Sequence, residues 1–170
     1  LTLTATINTI CPSASDVVRI NYQGFQGTTS ISKTDVTCYS EANGSATVTV
    51  VGGNTPLTYF WTNAGTSATI SNLASATYSV TVTDAIGCTT QTATTVNQPA
   101  LLALGSTIGN VRCNGTATGS VTVIPSGGTS PYSYVWSSGA TTASITSLVA
   151  GTYSVTVTDN NSCTASGSYT

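Results

Sequence analysis

The residues whose type and spacing could do chemistry are the cysteines, of which the chain has five. A constant offset of 75 carries Cys38 to Cys113 and Cys88 to Cys163, and 50 positions separate Cys38 from Cys88 and Cys113 from Cys163. There is no histidine and no Cys-x-x-Cys, so the clustered ligands of a zinc site are missing and no metal or cofactor is expected. Paired cysteines at a repeated interval point instead to oxidation. The expected disulfides are Cys38 with Cys88 and Cys113 with Cys163, one per copy, against the alternative of four buried thiols. A cross-link of that span stabilises by about 4 kcal/mol on loop-closure entropy, comparable to the whole stability of a small domain. Disulfides imply an oxidising, extracellular location.

Other chemistry finds little support. Without histidine the usual general base is absent, and serine hydroxyls lack an activating partner, so no catalytic residue is expected. The one acidic residue present in both copies is Asp84, repeated as Asp159, four positions before the second cysteine. An aspartate there is expected to cap a turn by bonding the backbone, with a calcium ligand as the alternative. Three basic and five acidic residues, net charge −2, cannot build the basic patch that phosphates or an anionic membrane would require. No run of 18 apolar residues suggests membrane insertion.

The elements that position the cysteines come from a tandem repeat. Residues 36–95 and 111–170 align without a gap and are identical at a little under half of the paired positions, including Trp61/Trp136, Tyr78/Tyr153 and the block TYSVTVTD. Apolar and polar residues alternate, as in Tyr78-Ser79-Val80-Thr81-Val82-Thr83, which is the period of half-buried strands. Threonine and serine make up about a third of the chain and suit the solvent face of strands. Strands are expected around Val36–Tyr39, Ser45–Val51, Leu57–Thr62, Ala68–Asn72, Thr77–Asp84 and Cys88–Val96. Turn signals separate them at Asn43-Gly44, Gly52-Gly53-Asn54 with Pro56, Asn63 to Gly65, and Asp84 to Gly87. The fold class is all-β, a string of Ig-like antiparallel β-sandwiches. Trp61, Trp136, Tyr78, Tyr153, Val80 and Val155 are the expected core.

The divisions read from the period are residues 1–30, the C-terminal part of a truncated upstream copy; 31–99, the first complete copy; and 100–170, the second. Leu101, Leu102 and Leu104 suggest that the connection packs as a first strand of the second copy. Cys11 is then the second cysteine of the upstream copy, unpaired within this chain, and the native polypeptide is expected to extend further. Asn43-Gly44-Ser45, Asn114-Gly115-Thr116 and Asn160-Asn161-Ser162 match the glycosylation sequon, but turn chemistry accounts for these asparagines.

The segment VRCNGTATGSVTVIPSGGTSPYSYVW at 111–136, with a weaker counterpart at 36–61 and with GTYSVTVTDNNSC at 151–163, resembles the SprB-type repeat of Bacteroidota gliding-motility adhesins. The first copy departs at Tyr39-Ser40 and Leu57. The TYSVTVTD portion is also similar to polycystic-kidney-disease (PKD) domains, which are Ig-like sandwiches. The resemblance implies a very large cell-surface adhesin, exported by the type IX system, forming filaments and moved by the gliding machinery of the envelope. Its partner would be an external surface or polysaccharide.

Within that setting the preferred reading is mechanical. An unfolded copy of 75 residues reaches roughly 260 Å, whereas a bridge locking 50 of them leaves about 90 Å to release. The competing readings are a glycan-binding module using Tyr59, Trp61, Tyr134 and Trp136 as a stacking platform, and a filament subunit that exchanges strands from residues 1–30. A threonine-rich ice-binding array fits poorly, because 75-residue modules offer no flat lattice.

Overall fold

The computed structural model describes residues 24–113 and 115–170. Residues 1–23, with Cys11, lie outside the described residues, as does Asn114. The rest forms twelve strands and no helix. Module 1 holds β1 (Gly27–Thr34), β2 (Gly44–Gly52), β3 (Thr58–Trp61), β4 (Thr69–Leu73), β5 (Ala76–Thr83) and β6 (Thr89–Val96). Module 2 repeats them as β7 (Ala103–Gly109), β8 (Gly119–Ser126), β9 (Ser133–Trp136), β10 (Ser144–Leu148), β11 (Tyr153–Thr158) and β12 (Thr164–Tyr169).

Each module is an all-β sandwich of two three-stranded antiparallel sheets, β1-β2-β4 on β3-β5-β6 and β7-β8-β10 on β9-β11-β12. Alternation builds it directly. Along β2 the residues Gly44, Ala46 and Val48 are buried while the intervening ones are more open, and along β8 Gly119, Val121 and Val123 repeat the pattern. The inward set of module 1 is Val36, Ala46, Val48, Trp61, Ile70, Leu73, Val80, Val82 and Val96. That of module 2 is smaller: Val121, Val123, Trp136, Ile145, Val155 and Val157. On the solvent faces hydroxyls meet across strands, as between Thr47 and Thr69 (2.9 Å), Thr77 and Thr95 (3.0 Å), and Thr122 and Ser144 (2.9 Å). Such cross-strand pairs let a sheet with almost no charge hold its register.

Two expectations change. The stretch Val36–Tyr39 is a loop rather than a strand, because Val36 turns inward and bonds Asn97 across the sandwich (2.9 Å). The first strand is instead β1, whose Thr29, Ser30 and Ile31 pair with Val50, Thr49 and Val48. It opens at Gly27, inside the stretch assigned to an upstream copy. Tyr78 and Tyr153 are not central core residues. Each ring is half-buried at the core's rim, and its hydroxyl caps a carbonyl four residues back, Ala74 (3.0 Å) and Val149 (3.2 Å).

Candidate functional site at the module junction

The disulfide in the described structure joins Cys38 to Cys163, across the modules and over 125 positions of sequence. The expected pairings Cys38–Cys88 and Cys113–Cys163 are therefore corrected. The cause is the length of the sandwich. The loop carrying Cys38 bonds residue 97, just past the C-terminal end of β6, whereas Cys88 sits just before its N-terminal end. Eight extended residues at about 3.3 Å each put roughly 26 Å between those ends, against the 4.4–6.8 Å or so that a disulfide allows between Cα atoms. Each module thus carries one cysteine at either end, and the loop of module 1 faces the turn of module 2. Cys113, the counterpart of Cys38, is an exposed thiol.

The turn bearing Cys163 is set by Asp159, which has 5 % of its surface exposed. One carboxylate oxygen accepts from the amides of Asn161 (2.8 Å) and Cys163 (2.9 Å), the other from the amide of Thr129 (2.8 Å). Asp84 does the same in module 1, with the amides of Ile86 and Cys88 on one oxygen and Asn54 on the other. Burial pushes both carboxyls up. The hydrogen bonds outweigh it, from Asn54, Cys88 and Ile86 for Asp84 and from Thr129, Cys163 and Asn161 for Asp159, so both sit below the usual carboxylate range. Every carboxylate contact is an internal amide, which is the geometry of a turn clasp. Among the described residues no three acidic, cysteine or histidine side chains gather as a metal site.

From this clasp the junction extends in both directions. The Asn161 amide group donates to the carbonyl of Thr37 in module 1 (3.0 Å) and to the Thr129 hydroxyl (3.1 Å). On the other flank the linker is bound to both modules. Asn97 donates to Asp35 (2.8 Å), the Gln98 side chain accepts from the Ser40 amide (2.8 Å), and the Ala100 carbonyl accepts from the Gly128 amide (2.8 Å). Lys33 reaches both Asp35 (2.7 Å) and the Thr95 carbonyl (2.6 Å). The Asn97 amide, followed by Lys33, holds the Asp35 carboxyl low. Gly127 is required here: its φ is 72° and a Cβ would lie 2.0 Å from the Leu101 carbonyl oxygen. Two covalent tethers, linker and bridge, thus join the modules on either side of an open cleft of about 270 Å³ lined by Tyr39, Glu41 and Leu101.

The tryptophans lie elsewhere. Trp61 and Trp136 are 0 % and 2 % exposed, and their indole N–H groups donate to the carbonyls of Ser67 (2.9 Å) and Thr142 (2.8 Å). Tyr59 and Tyr134 pack half-buried against the cores. A stacking platform built on these four is overturned, because the largest rings have no face to offer. Sequence reasoning passed over Asn161, Gln98, Asp35 and Gly127 as junction residues. One signal was present: module 2 has Asn160-Asn161 where module 1 has Ala85-Ile86, and Ile86 is exposed.

Two antiparallel sandwiches of the same strand order, bridged at their seam, define a tandem-repeat architecture. Two segments, 30–66 and 105–141, match the family model described as the SprB repeat. They are offset by the same 75 residues and run from the first strand of each module past its tryptophan. Among solved structures the chain is similar to the "amphioxus IgVJ-C2 molecule", at 16 % identity and a TM-score of 0.34, covering 85 % of this chain and 96 % of that one. No curated protein matches the chain.

Proposed function

We propose that this chain is a non-catalytic repeat segment of a secreted cell-surface adhesin, in which disulfide-locked sandwiches form a stalk that transmits pulling force during surface attachment and gliding. The SprB repeats support the adhesin setting, and a disulfide fits an extracellular one. The observation that carries the mechanical role is the bridge across the seam. Pulling on the two ends of the chain loads Cys38 and Cys163 directly, with their Cα atoms 5.7 Å apart. The 125 positions between them would span roughly 440 Å if unravelled at about 3.5 Å per residue, and none of that length is released while the bridge holds. Of the described strands, β1 and β12 lie outside the locked span and are already extended.

Single-molecule stretching of the chain tests this. Without reductant the account expects no extension on the scale of a module. With reductant it expects unfolding steps that together recover most of the locked length. Module-sized steps that are equally long with and without reductant would refute it.

A further inference from the structure

The seam bridge opens to solvent at a cleft whose lining carries a single charged side chain. Cys38 and Cys163 are both half-buried, and both line the cleft of about 270 Å³ between the modules, together with Glu41. No lysine or arginine borders it. Glu41 stands on the turn that carries Cys38, its amide donating to the Cys38 carbonyl (3.3 Å). One carboxylate oxygen accepts from the Thr37 hydroxyl (3.2 Å) and the Asn43 side-chain amide (2.8 Å), which holds the charge at the cleft instead of letting it swing into solvent. Among the described residues no cation pairs with it, Lys33 being engaged by Asp35 (2.7 Å) and the Thr95 carbonyl (2.6 Å). The turn itself does not require an acid. In module 2 the same turn closes with Thr116, whose amide donates to the Cys113 carbonyl (3.1 Å).

We infer that Glu41 selects which small-molecule thiols open the Cys38–Cys163 bridge, slowing anionic thiols and admitting those that carry a positive charge. Opening begins when a thiolate attacks one bridge sulfur and expels the other as a thiolate, leaving a mixed disulfide. A second thiol attacks that mixed disulfide and releases the remaining protein cysteine. Two small thiols become one small disulfide, and their two protons and two electrons end on Cys38 and Cys163. The first step brings negative charge into a cleft that already holds a carboxylate. At about 6 Å in water, repulsion between two unit charges slows an encounter roughly threefold at low ionic strength, and 1 M salt, with a screening length of about 3 Å, removes most of that. A thiol with its own ammonium group offsets the charge of its thiolate and meets no such barrier. In the stalk reading on which this builds, opening the bridge frees the locked length, so Glu41 governs which reductants turn a rigid stalk into an extensible one.

The test compares two thiols of the same two-carbon length, mercaptoethanesulfonate and cysteamine, on the full chain and on its Glu41→Gln variant. Glutamine keeps the oxygen that Thr37 and Asn43 bind and removes only the charge. Opening is timed by quenching with N-ethylmaleimide and weighing the peptide that holds Cys38. The ratio of variant to parent rate for each thiol cancels that thiol's intrinsic reactivity. At about 10 mM salt, Glu41→Gln is expected to speed mercaptoethanesulfonate about threefold and to leave cysteamine within about 1.5-fold, and at about 1 M salt both ratios approach one. A variant that merely loosened the turn would react faster with both thiols alike and at either salt. That result, or low-salt ratios near one for both thiols, overturns the inference. If the starting chain lacks the Cys38–Cys163 bond, the stalk falls as well; if the bond is present and the charge selection is missing, only the role given to Glu41 falls.

Discussion

Removing the seam bridge gives the sharpest thermodynamic consequence. Cys38→Ser opens a ring of 125 positions that otherwise confines the unfolded chain. For that span the loop-closure relation gives an entropy near 16 cal/mol/K, or about 5 kcal/mol at 25 °C, lost when the ring is opened. Two modules with cores as small as these have little stability to spare, so the change is a large part of the total. Urea titration followed by tryptophan fluorescence is well suited, because one buried indole reports on each module. The bridged chain is expected to unfold in one transition, since neither module can separate from the other. Cys38→Ser is expected to shift unfolding to lower urea and split it into two. Cys163→Ser and the double variant should match Cys38→Ser within about 0.5 kcal/mol, because each breaks the same bond. A loss below about 1 kcal/mol, or a double variant much weaker than either single one, would refute the reasoning.

Other consequences follow from the same geometry. Val96→Ala empties the groove at the end of module 1 and is expected to cost about 2 kcal/mol, from two methyl groups plus the cavity left, read as a lower urea midpoint for module 1 in the Cys38→Ser background. The pH profile has a defined sign. Asp35, Asp84 and Asp159 are all held below their unfolded value of about 3.9, so their contribution is complete above that pH and is lost as the pH falls through the lower folded values. Thermal melts should therefore drop steeply below about pH 4 and stay flat from about pH 5 to 8, where a chain without histidine has no unperturbed side chain to titrate. Asp159→Asn should lower the melting temperature at neutral pH and blunt the acid drop, while a profile that falls between pH 5 and 7 would contradict the assignment.

The architecture was legible because it is written twice. Alternation in Ala46-Thr47-Val48 and Tyr78-Ser79-Val80 fixes strands and their inward faces, and the offset of 75 reproduces each one, so five of the six strands of module 1 could be placed from residues alone. β1 was missed because Gly27–Thr34 carries a single large apolar residue, Ile31, whereas its counterpart β7 carries Leu104 and Ile108 and was expected as a first strand. Periodicity says nothing about such an edge strand, which is held by pairing to β2. Disulfide connectivity failed for a related reason. In a repeat, a first cysteine has a second cysteine available in its own copy, 50 positions on, and in the next copy, 125 positions on, and spacing cannot choose between them. The choice is made by the length of β6, which places Cys38 and Cys88 at opposite ends of one rod. Junction contacts such as Asn161 to Thr37 depend on how two modules meet, a property that no single copy encodes.

The most direct test of the account is the disulfide map of the folded, unreduced chain. Digestion after alkylation, without reductant, should yield a cross-linked peptide containing Cys38 and Cys163. Recovery of Cys38 joined to Cys88 and Cys113 joined to Cys163 would contradict it, since each module would then be closed on itself and the seam between them left to hydrogen bonds.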